Sequence, residues 1–202
     1  MVFLCSDGFT SEPLAAAFRQ YTPARGKAAI VVTADPEYKE RNYHVPRCKS
    51  ELTGFGLAAE TVDIDGTDAA FLLVYDAVEF IGGNPFYLMN AIRHSGAEAV
   101  LHRLAQEKIL IGWSAAAMVF GPSLEMAREY TPDMNSVGLT DLNGLHLTEA
   151  MILPHYSRFI GRYERFEERC ALYERRSGRN VLRLNDGDGV IDRDGSITVI
   201  RK

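Results

Sequence analysis

No stretch of the chain approaches the roughly 20 consecutive apolar residues that span a bilayer, and the N-terminus lacks the apolar run of a signal peptide. The expectation is a cytoplasmic protein with no membrane partner. Cysteine is scarce: Cys5, Cys48 and Cys170 are odd in number and far apart, which fits neither a disulfide framework nor a zinc-ligand spacing. They read as reduced and mostly buried. Cations are the minority charge, with 22 Lys and Arg against 27 Asp and Glu and a net charge of −5. Nucleic acid is not the expected partner, because binding its phosphates usually needs a basic face. What is present is a globular composition, 47% apolar and 24% charged over 202 residues. A single domain over residues 1–202 suits that length, as a monomer or homodimer.

Residues 28–33, 59–64, 77–82 and 108–112 are short β-rich runs bounded by Gly, Asp or Asn and read as buried strands. Between them, Phe86, Leu88, Met89 and Ile92, then Ala97, Val100, Leu101 and Leu104, recur at helical spacing. Strands alternating with helices imply an α/β fold of three layers, a mostly parallel sheet with helices on both faces. From Pro122 to Asn143 the pattern reads as a long polar loop, a candidate functional segment. Phe159, Tyr163, Phe166, Cys170 and Tyr173 predict one amphipathic helix over 158–176. Val181–Leu184, Val190–Asp192 and Ile197–Ile200 read as strands, the last two forming a hairpin through Arg193-Asp194-Gly195.

The segment Ile109-Leu110-Ile111-Gly112-Trp113-Ser114-Ala115-Ala116-Ala117-Met118 carries the chemistry. A β run enters a Gly, one residue precedes a Ser, and helix formers follow, as in a nucleophile elbow. Small residues at 112 and 116 let strand and helix backbones approach around a strained turn. A serine that merely caps a helix is the competing reading of this spacing. Phe80-Ile81-Gly82-Gly83-Asn84-Pro85-Phe86 also ends a strand and starts a helix. Its paired glycines either open backbone N–H groups to a developing oxyanion or simply make a turn. In a parallel sheet both segments lie at the strands' carboxyl ends, where binding crevices form.

The stretches FIGGNPFYLMNAIR, KILIGWSAAAM, TPDM and ILPHY, in this order, resemble the aspartyl dipeptidase (dipeptidase E) family, related to cyanophycinase. The resemblance spans about residues 59–190 and implies a sheet like that of class I glutamine amidotransferases. It also implies a serine peptidase without metal or cofactor, acting on small peptides. Position by position it implies Ser114 as nucleophile, His155 as general base, and Gly83 and Ala115 as oxyanion donors. Ala116 stands where the family usually has Gly. Asp186 aligns with the family's acid, usually Glu, and is one methylene shorter; Asp133 in the Thr-Pro-Asp-Met segment is the alternative acid. The types suit the chemistry: an imidazole takes the serine proton, and a carboxylate fixes the tautomer and stabilises the imidazolium.

Of the other histidines, His44, His94 and His102 read as helix-surface residues and His146 as following a turn. Asp186-Gly187-Asp188-Gly189 mimics the middle of a calcium loop, but Leu184 and Gly195 occupy the positions that need an Asp and a bidentate Glu. No metal is expected. Arg158, Arg162, Arg165 and Arg169 form a ridge at helical spacing. The aspartyl dipeptidase resemblance implies a cation for an acidic substrate side chain, and Asn84, Arg162 and Arg165 are the expected substrate contacts. Ordinary pairing of these arginines with Glu164, Glu167 and Glu168 is the competing reading. A catalytically silent binding protein on the same scaffold is the alternative function.

Overall fold

The structure, a computed structural model, describes residues 1–202. Along the chain run β1 (Val2–Cys5), α1 (Glu12–Arg19), β2 (Gly26–Val31), α2 (Val45–Gly54), β3 (Leu57–Val62), β4 (Ala77–Phe80), α3 (Pro85–Ser95) and α4 (Glu98–Glu107). Then follow β5 (Ile109–Trp113), α5 (Ala115–Phe120), α6 (Glu125–Tyr130), β6 (Met151–Leu153), α7 (Tyr156–Phe159), α8 (Phe166–Ser177), β7 (Val181–Arg183), β8 (Gly189–Arg193) and β9 (Ser196–Ile200).

Seven strands form one sheet in the order β3-β2-β4-β5-β1-β8-β9. The first five are parallel, and β8 and β9 run antiparallel at one edge. The period-two geometry of a strand explains why the central runs are apolar throughout. Val2, Leu4, Ala29, Val31, Val78, Phe80 and Leu110 point to the layer of α3, α4 and α5. Their neighbours Phe3, Cys5, Ala28, Ile30, Ala77, Ile109 and Ile111 point to the layer of α1 and α2. The result is a three-layer α/β fold with both sheet faces covered. All three cysteines are buried and free, and no helix is long and apolar enough to cross a membrane. The β8–β9 hairpin turns at Asp194 (φ 55°) and Gly195 (φ 83°), the two positive φ values of a type I′ turn.

Three features differ from the sequence reading. The run Val2–Cys5 is a central strand; four apolar residues carry too little periodicity to distinguish strand from helix. The segment 122–143 is not one loop, because it contains α6 and a short 3-10 turn at Pro132–Met134. The expected helix over 158–176 is two helices, α7 and α8. Gly161 is a poor helix former, and Arg165 takes φ 51°. Phe159 and Tyr163 line the cavity described below and pack against the edge of the cluster that Phe166, Cys170 and Tyr173 form with Met126, Tyr130, Met151, Leu153 and Val181.

Candidate active site

β5 delivers Ser114 to the carboxyl edge of the sheet, and α5 begins at the next residue. The serine has φ 53° and ψ −114°, a strained conformation for a residue with a Cβ. Its surroundings are correspondingly tight. A Cβ on Gly112 would lie 2.7 Å from the Phe120 ring and 3.0 Å from the Ala116 backbone carbon. Ala116, completely buried, still fits there. A Cβ on Gly82 would come within 2.9 Å of the Ser114 Cβ, so the turn after β4 sits against the serine. Gly83 has φ 151°, and any Cβ there would collide with the Ala34 carbonyl oxygen. Its N–H makes no backbone hydrogen bond. The Ala115 N–H, in the first turn of α5, has no intrahelical partner either.

His155 follows β6 and Pro154 and takes a left-handed conformation (φ 56°, ψ 31°). Its Nε2 lies 2.9 Å from Ser114 Oγ and its Nδ1 2.5 Å from Asp186 Oδ1. With the carboxylate on Nδ1, that nitrogen carries the proton, and Nε2 is left to accept from the serine hydroxyl. Burial alone would raise the Asp186 carboxyl. Hydrogen bonds and charge from His155, with further hydrogen bonds from Ser6 and Arg158, outweigh it and hold the pKa below the usual carboxylate value. Asp186 therefore stands ionised beside the imidazole.

The other residues named from the sequence are distributed as follows. Asp133 lines the cavity at the Pro132–Met134 turn and does not contact His155, so as an alternative partner for that imidazole it is corrected. The shorter Asp186 side chain reaches the ring because its turn packs against the end of β1. Asn84 is corrected as a substrate contact: its side-chain oxygen accepts from the N–H groups of Phe86 and Tyr87, capping α3, and its amide donates to the Met134 carbonyl. Arg165 is corrected too. The break at that residue turns it away from the cavity lining, and it pairs with Glu168 at 2.6 Å. Arg158 pairs with Asp186 at 3.2 Å and Arg169 with Glu129 at 2.9 Å. Arg162 alone of the four lines the cavity with no carboxylate partner, over the rings of Phe159 and Tyr163. Asp188 is occupied by Arg201 and the backbone N–H groups of Asn185 and Lys202.

Ser114 opens into a cavity of about 800 Å³. Its lining includes the apolar Met118, Met126, Tyr130 and Phe159 and the basic His44, Arg47, Arg158 and Arg162. His44 and Arg47 escaped the sequence reading, which saw only a helix surface. His44 packs edge-on to Trp113 with ring centroids 5.0 Å apart, and Arg47 lies over the same indole. Burial and the nearby Arg47 charge lower the His44 pKa, keeping the ring neutral.

The description of peptidase family S51 matches residues 11–200. An uncharacterized peptidase of Listeria monocytogenes is 28% identical over 138 residues, 66% of this chain and 67% of that protein. Peptidase E of Shewanella putrefaciens is 28% identical over 110 residues, 52% of this chain and 45% of that protein. In architecture, the chain is similar to a Listeria monocytogenes crystal structure provisionally assigned as peptidase E. The TM-score is 0.77 at 24% identity, over 100% of this chain and 98% of the other. A peptidase from an acI-B1 actinobacterium gives a TM-score of 0.72 at 16% identity, over 100% and 87% of the two chains. With nearly its whole length matched, the chain belongs to peptidase family S51, a family of serine-type peptidases.

Proposed function

We propose that the chain hydrolyses short peptides through an acyl-enzyme on Ser114, with dipeptides bearing an N-terminal Asp as preferred substrates. The observation that supports it most is the continuous Ser114–His155–Asp186 chain, 2.9 Å and 2.5 Å long at its two links, with Ser114 in the turn between β5 and α5. His155 Nε2 takes the Ser114 proton as Oγ attacks the scissile carbonyl. The Gly83 and Ala115 N–H groups donate to the oxyanion, and Asp186 stabilises the imidazolium. His155 then gives its proton to the departing amine. Water, deprotonated by the same imidazole, attacks the ester carbonyl and releases Ser114.

Two charges support the substrate reading. Arg162 faces the cavity without a carboxylate of its own, and its planar guanidinium matches a substrate carboxylate in two-pronged fashion. Asp133, in the lining of the same cavity, suits the free ammonium of a short peptide. The test is labelling with a fluorophosphonate, followed by kcat/KM for Asp-Leu and Ala-Leu. Labelling that Ser114→Ala abolishes, and a preference for Asp-Leu that Arg162→Ala removes, are expected. No labelling of the folded protein turns the assignment to a binding protein, and equal rates on both peptides remove the acidic specificity.

A further inference from the structure

All three members of the proposed catalytic chain are attached to two consecutive residues at the carboxyl end of β1. The Ser114 N–H donates to the Cys5 carbonyl at 3.0 Å. The His155 N–H donates to Ser6 Oγ at 2.9 Å, and the Ser6 hydroxyl lies 3.1 Å from Asp186 Oδ1. Ser6 is completely buried. Its one hydroxyl proton has two acceptors in range, and the ionised Asp186 is both the stronger and the nearer, the Leu184 carbonyl being 3.4 Å away.

The geometry explains what this hydroxyl does. His155 holds a left-handed backbone that a residue with a Cβ seldom adopts, so something must over-determine it. The residue before it, Pro154, has no N–H to contribute. Without Ser6 the His155 N–H would be buried unpaired, which is costly for a backbone donor. The acid's turn is gripped from the same segment. The Ser6 N–H donates to the Asp188 carbonyl at 3.1 Å, Ser11 Oγ to the Gly187 carbonyl at 2.6 Å, and the Gly187 N–H to Asp7 Oδ1 at 2.8 Å.

We propose that Ser6 is a positioning residue for catalysis: its hydroxyl fixes the backbone of His155 and one oxygen of Asp186 relative to each other, and so aims the imidazole at Ser114. The catalytic part of this role rests on the acyl-enzyme reading of Ser114. A side chain that touches the backbone of the base and the carboxylate of the acid governs their separation, and errors of about 1 Å in such arrangements cost on the order of 100-fold in rate.

Ser6→Thr and Ser6→Val, made in the full chain, test it. Both add similar bulk to the buried position, and only Thr keeps the hydroxyl. Two readouts are taken: the rate of Ser114 phosphonylation by a fluorophosphonate, and the carbon-13 NMR titration of the Asp186 carboxyl. Thr is expected to stay within about threefold of wild type, and Val to react at least about tenfold more slowly. In Val the Asp186 titration moves up toward the ordinary carboxylate range; in Thr it does not. Equal rates and equal titrations in Thr and Val overturn the proposal. If the added bulk prevents folding in both, Ser6→Ala against wild type supplies the same comparison without it. If wild type is not labelled, the acyl-enzyme reading falls by itself. The Asp186 titration then still decides whether Ser6 holds the pair.

Discussion

The side-chain amide of Asn84 donates to the Met134 carbonyl at 2.7 Å across 50 residues of chain, while its oxygen caps α3. One residue thus starts the helix after the Gly82-Gly83 turn and tethers the Pro132–Met134 turn that carries Asp133. Asn84→Ala is expected to lower unfolding free energy by about 1–2 kcal/mol, measured in urea. Asn84→Ser keeps the cap but is too short to reach Met134. It should keep most of the stability while raising KM for Asp-Leu more than it lowers kcat.

Glu79 on β4 is completely buried; the Cys48 thiol and Trp113 Nε1 are its polar neighbours, and neither meets its carboxylate in good hydrogen-bond geometry. Burial, reinforced by the Glu51 charge, pushes its pKa from 4.5 up to about 7. A carboxyl raised on folding contributes stability that is present below its unfolded pKa and lost as pH rises through the folded one. Wild-type stability should therefore fall between about pH 4.5 and 7, by roughly 3 kcal/mol if no other group compensates. Glu79→Gln should flatten that slope and unfold at higher denaturant than wild type above the window, with the two proteins alike below it.

Ser114 is held at φ 53° by its neighbours rather than by its own preference. Strain of this kind costs on the order of 1–3 kcal/mol. Ser114→Gly relieves it and is expected to abolish hydrolysis while melting no lower than wild type. A clear drop in melting temperature would show that the serine side chain stabilises the turn.

Asp186→Asn keeps the shape of the acid and removes its charge. The imidazolium loses its counter-charge, and the amide can favour the wrong tautomer, so kcat should fall by about 10⁴-fold with a small change in KM. In wild type the lowered Asp186 pKa places its stabilising contribution above the unfolded carboxylate value, and that contribution is lost only as pH falls through the folded one. Urea unfolding followed by fluorescence should accordingly find the Asn variant less stable than wild type at neutral pH and losing less stability on acidification, the two curves converging below the folded pKa of Asp186.

An unpaired acid in the cavity should read the substrate's ammonium. Asp133→Asn is expected to raise KM for Asp-Leu about tenfold and to leave the rate on an N-acetylated peptide unchanged, since the acetyl group removes the charge that Asp133 would meet. Equal effects on both substrates would assign Asp133 to the shape of the cavity instead.

The parallel strands and the Gly112-Trp113-Ser114 turn were legible along the chain because they rest on local rules: apolar runs, flanking glycines and the smallness needed at 112 and 116. The choice of His155 and Asp186 was reached through resemblance, since residues 41 and 31 positions apart carry no local signal of meeting. Tertiary structure decided the rest. Asn84 and Arg165 look like substrate contacts in sequence, yet one spends its polar atoms on a helix cap and the other is turned outward by the break before α8. Ser6 left no trace, being one polar residue after a four-residue strand. Its importance comes from sheet order, which sets β1 beside β5 and brings the 154–156 and 185–188 segments over the same strand end. Sequence specifies which side chains can accept, donate or carry charge; only packing decides which of them are already spoken for.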